Sequence, residues 1–94
     1  MSYRDWYNVK AEKGGWRVYK FSQDRDPQGS YYVSMHDEQP SMCECFAGTK
    51  HTCRHRDIVR MFLMDEEFRT KMINNWLYNF DKDKWIEPAL VGEL

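Results

Sequence analysis

Three observations predict a small α+β fold for this chain, strands first and helices last. Apolar and polar residues alternate from Trp6 to Phe21 and again from Ser30 to His36, the period of half-buried strands. After Ile58 the apolar spacing lengthens to that of a helix. Between the two regimes lie all three cysteines, spaced as Cys43-Glu-Cys45, seven residues, then Cys53-Arg-His55.

The elements follow in order. Tyr7, Val9 and Ala11 share one face of the first run, and Trp16, Val18, Tyr19 and Phe21 carry the second. Glu12-Lys-Gly-Gly15 between them marks the turn of a β-hairpin. A polar loop from Ser22 to Gly29, punctuated by Pro27, leads to a third strand over Ser30–His36, which Pro40 ends. Ile58, Val59, Phe62 and Leu63 predict a first helix. A second is predicted from Glu66 to Asn79, with Phe68, Met72, Ile73, Trp76, Leu77 and Phe80 on one stripe and Asp65 as its N-cap. Residues 81–94 begin polar and turn apolar near Pro88, reading as a tail that packs on the domain or docks on a partner. The expectation is one domain over residues 1–80, its metal core within 31–63, and a C-terminal tail. The sheet would comprise a hairpin plus one further strand.

Composition bounds the class. At 94 residues, with 41% hydrophobic and 16% aromatic side chains, the chain holds enough apolar material for a core. A domain this small buries only about 60–65% of the surface its unfolded chain exposes, so a metal staple adds much to it. No apolar run is long enough for a membrane span, and the first residues lack the apolar stretch of a signal peptide. Three cysteines cannot all pair within one chain. A reducing, intracellular setting is therefore expected, with the thiols as metal ligands.

The spacing has a physical logic. Residues i and i+2 of an extended segment point the same way, so Cys43 and Cys45 reach one ion while Glu44 faces out. In a helix the same spacing turns side chains about 200° apart. Cys53 is therefore expected at or just before a helix start, with a histidine from the first turn completing the set. Thr52 is a candidate N-cap there. The soft thiolate and imidazole donors suit a tetrahedral, redox-inert zinc ion with every position filled by protein. His55, His51 and His36 are all candidates for the fourth ligand.

The pattern C-x-C-x7-C-x-H, with Phe46 after the second cysteine and the apolar run Ile58-Val-Arg-Met-Phe-Leu63 after His55, resembles the SWIM-type zinc finger. The likeness covers about Tyr31 to Leu63. It implies a ββα unit closed on one structural Zn²⁺, with Cys43, Cys45, Cys53 and His55 as ligands. SWIM fingers occur in transposases, chromatin remodellers and recombination accessory proteins, as DNA-binding or protein-interaction modules, so the resemblance implies binding rather than catalysis.

Charge yields two binding expectations. Net charge is −1, falling to −2 when three thiolates hold a divalent ion, so any attraction to nucleic acid must be local. Lys50, Arg54, Arg56 and Arg60 against Asp57 make a +3 stretch, a candidate DNA- or RNA-binding patch. From Met61 to Leu94, seven acidic residues face four basic ones. That acidic half, with Trp76, Trp85, Ile86 and Leu90, is a candidate protein-docking surface, making the chain an adaptor on a larger assembly. No small-molecule substrate is expected. With the metal fully coordinated and no spare nucleophile, no enzyme is expected either.

Overall fold

The two strands predicted from Trp6 to Phe21 form the centre of the sheet. In the computed structural model, which describes residues 5–45, 53–80 and 82–87, β1 (Trp6–Glu12) pairs antiparallel with β2 (Gly15–Phe21) around the turn at Lys13 and Gly14. Gly14 sits at φ +79°, where a side chain would be strained. Gly15 meets a different constraint. A Cβ there would lie 2.2 Å from the carbonyl oxygen of Val33 and 3.0 Å from the Tyr32 ring, whose hydroxyl donates to the carbonyl of Lys13 at 2.8 Å. Because the obstacle is backbone of the neighbouring strand, Gly15→Ala is expected to cost about 1–3 kcal/mol, read as a lowered urea midpoint at unchanged slope.

The third strand is longer than its alternation suggests. β3 runs Pro27–His36 and turns at Asp37 and Glu38, at φ +50° and +65°, into β4 (Gln39–Cys43). Positive φ at both central residues is the two-residue hairpin geometry that matches strand twist, usually signalled by Asn-Gly. Pro40 does not end the structured segment as expected. It lies buried within β4, an edge strand, where a missing backbone N–H costs no ladder bond to a further strand.

Past the cysteines the chain turns helical. The first helix, α1 (Arg54–Met64), starts directly after Cys53 in the N-cap position. Asp65 closes it and opens α2 (Glu66–Ile73), its carboxylate accepting from the N–H of Phe68 at 3.1 Å as predicted for an N-cap. Arg69 donates to the end carbonyls of α1 at Phe62 and Leu63.

The second helix stops at Ile73, six residues before the predicted end. Asn75 adopts φ +68°, its N–H reaches the carbonyl of Met72 at 3.1 Å, and the N–H of Trp76 reaches that of Lys71 at 3.0 Å. This paired closure is a Schellman cap, with asparagine in the left-handed position usually held by glycine. Ile73, assigned to the apolar stripe, is 63% exposed. Leu77–Asn79 becomes β5, and Lys84–Ile86 becomes β6. Lys84–Ile86, within the segment expected to be a tail, thus pairs with the sheet through β5.

Among the described residues six strands make one antiparallel sheet in the order β4-β3-β2-β1-β5-β6, three more strands than expected. One face carries Tyr7, Val9, Val18, Val33 and Tyr78 against Ile58, Val59 and Phe62 of α1 and Phe68 and Met72 of α2. The opposite face keeps a smaller cluster of Trp6, Phe21 and Leu77, with Ile86 beside it. Asn8, fully buried, donates to the carbonyls of Met72 and Trp76 at 3.0 and 2.9 Å, tying the end of α2 to β1. Among the described residues no helix is long and apolar enough to cross a membrane.

Candidate metal centre

The fold brings the four expected ligands together from two elements. Cys43 ends β4 opposite Val33 on the helix-covered face, and Cys45 follows two residues on, where the chain bends away from the strand. Glu44 between them faces out, its backbone N–H reaching the carbonyl of Tyr32 at 3.0 Å and its carboxylate accepting from the N–H of Tyr32 at 3.0 Å. Cys53 caps α1 and His55 occupies its first turn. The ladder thus fixes Cys43, with Cys45 in the bend just beyond it, and the helix start fixes the Cys53–His55 pair.

One donor atom from each of the four residues lies within 4.8 Å of the others. Cys45 and Cys53 sulfurs are 3.3 Å apart, and His55 Nδ1 lies 3.6 Å from Cys43 Sγ and 3.5 Å from Cys53 Sγ. A tetrahedral ion with bonds of about 2.3 Å to sulfur and about 2.0 Å to nitrogen needs edges of roughly 3.5–3.8 Å. The cluster can hold one metal ion with little movement. All three cysteines are free thiols.

The local electrostatics favour anionic sulfur. A hydrogen bond from Cys43 is the largest influence drawing the Cys53 thiol well below its usual range. His55 and the N–H of Arg56 in the first turn of α1 add to it, though that N–H lacks capping geometry. Cys43 is driven far upward by sharing that proton and by burial. The positive end of α1, which starts directly after Cys53, favours negative charge there.

The histidine is held by aromatic neighbours that spacing did not single out. Tyr31 stacks on the His55 ring at 4.2 Å and 27°, and Tyr7 meets it edge-on at 5.8 Å. Arg54 donates to the Tyr7 hydroxyl at 3.4 Å, while burial outweighs that bond and raises the Tyr7 pKa. The only signal available in the sequence was parity: Tyr31 lies on the same strand face as Val33. Of the rival ligands, His36 is exposed beside Asp37 and takes no part in the cluster, and His51 lies outside the described residues.

The residues expected to touch nucleic acid are spread over different tasks. Arg56 is 8% exposed and donates to the carbonyl of Ser41 at 2.9 Å. Arg60 pairs with Asp57 at 2.7 Å, and Arg54 is bound to Tyr7. Lys50 lies outside the described residues. Of the residues expected to meet a partner, Trp85 and Ile86 belong to β6. Trp85 packs on Phe68 and Tyr78, at 4.9 and 4.8 Å between ring centres, and Ile86 joins the Trp6 cluster. Leu90, like Phe46 and Thr52, lies outside the described residues. Comparison of the chain with protein-family models, with curated proteins and with solved structures gives no match.

Proposed function

We propose that this chain is a non-catalytic protein-interaction module whose fold is closed by one structural zinc ion. The observation that carries the docking reading is the division of side chains between interior and surface. The arginines nearest the metal are engaged within the fold, whereas the helical side presents Met64, 81% exposed, among carboxylates. A surface of that kind repels phosphate and suits an interface centre, where methionine and aromatic side chains are favoured. Zinc is favoured because three thiolates and an imidazole at these distances match its tetrahedral preference. A metal whose ligands are all protein side chains leaves no position for substrate.

Two measurements test the reading. Native mass spectrometry should find one zinc per chain. Titration with single- and double-stranded DNA and RNA at low salt should show no micromolar binding. Binding that is micromolar, weakens steeply with salt and disappears in Arg54→Ala and Arg60→Ala would replace docking with nucleic-acid recognition.

A further inference from the structure

We propose that the groove along the seam of α1, α2 and β6 docks a cationic protein segment, one in which lysines or arginines flank an apolar side chain. The inference rests on the docking reading above and adds to it the place and the chemistry of the partner.

Two adjoining concavities form this seam, and Met61 and Asp65 line both. The first, about 410 Å³, opens beside Met64; the second, about 160 Å³, is floored by Phe68, Tyr78 and Trp85. These volumes suit side chains of an extended or helical segment. Met61 and Met64 are unbranched and polarizable, so they can reshape around an incoming apolar group.

The rim decides the sign of the partner. Asp57, Asp65, Glu67 and Asp83 line the groove against Arg60 and Lys71, a net of −2. Both cations are already used: Arg60 pairs with Asp57 at 2.7 Å, and Lys71 stands 3.6 Å from Glu67 and over the rings of Trp76 and Trp85. The two remaining carboxylates each spend one oxygen internally. Asp65 Oδ1 caps Phe68, and Asp83 Oδ1 accepts from the Tyr78 hydroxyl at 2.7 Å. Their second oxygens take no partner among the described residues. An apolar groove rimmed by such carboxylates attracts cationic chains and disfavours acidic peptides and nucleic-acid phosphates alike.

The test selects from a random-peptide library against the full zinc-loaded chain, followed by anisotropy with synthetic winners at low and high salt. Enriched peptides should carry lysine or arginine on both sides of an apolar residue and shift the amide resonances of Met61, Met64 and Phe68. Met64→Lys, at a site 81% exposed, should weaken binding about tenfold without changing the melting temperature. Glu67→Lys should weaken it as much while lowering the melting temperature by a few degrees, because it also loses its pair with Lys71. Winners that are neutral or acidic, or that perturb the face of β1 and β2 opposite the helices, overturn the groove assignment and leave protein docking standing. Absence of any enriched peptide overturns it as well; if oligonucleotides bind the same sample, the docking reading falls with it.

Discussion

Stripping the metal is expected to unfold the chain. A high-affinity chelator at neutral pH should abolish the cooperative thermal transition, followed by circular dichroism, and zinc should restore it. Cys43 and Cys45 belong to β4 and the residues after it, Cys53 and His55 to the start of α1, so an ion held by these four would clamp the helix against the sheet edge. Structural zinc sites contribute about 10–16 kcal/mol of apparent binding energy, against total domain stabilities of about 5–15 kcal/mol. Losing that energy outweighs the margin a domain of this size retains. Single substitutions should follow burial. Cys43→Ser, 2% exposed, should be more damaging than Cys45→Ser, whose side chain is half-buried. Acidification should release the metal in the same way, because protons compete for thiolates and imidazole. An unchanged melting curve after chelation would show that the cluster is not structural.

The Cys43, Cys45, Cys53 and His55 cluster was legible because its constraints are local. Spacing alone placed Cys53 at a helix start, as the structure has it, and brought Cys43 and Cys45 to one side, which the structure achieves with a bend after β4 rather than a continued strand. The sheet was only half legible. Alternation revealed β1, β2 and most of β3, but β4 hides behind an Asp-Glu turn whose left-handed residues are not the usual glycine or asparagine. The helix stripe that seemed to continue through Trp76 and Leu77 is an accident of spacing. Asn74 and Asn75 end the helix, and Leu77 is buried as a strand residue. A linear run of arginines carries no information on which ones fold inward, and Arg56 spends its guanidinium on a backbone carbonyl.

Trp85→Ala is expected to destabilise the domain by about 3 kcal/mol, although Trp85 lies in a segment whose polar start suggested a tail. Its ring packs edge-on against Phe68 and tilted against Tyr78, with Trp76 6.5 Å away and the Lys71 ammonium 5.1 Å from its centre. Truncation would open Phe68 and Tyr78 to water and weaken a strand held by three paired residues at the sheet edge. The effect should appear as a lower denaturation midpoint with zinc content unchanged, since the ring touches none of the metal ligands. Ile86→Ala should cost less, about 1–2 kcal/mol, because its cluster with Trp6, Phe21 and Leu77 is smaller. Trp85 also lines the groove, so lost peptide binding in Trp85→Ala alone would not separate packing from docking. The comparison with Met64→Lys does. A shared binding defect with a stability defect only in Trp85→Ala assigns the tryptophan to both core and groove. A stability unchanged in Trp85→Ala would instead make β6 a docking strand that the domain does not need.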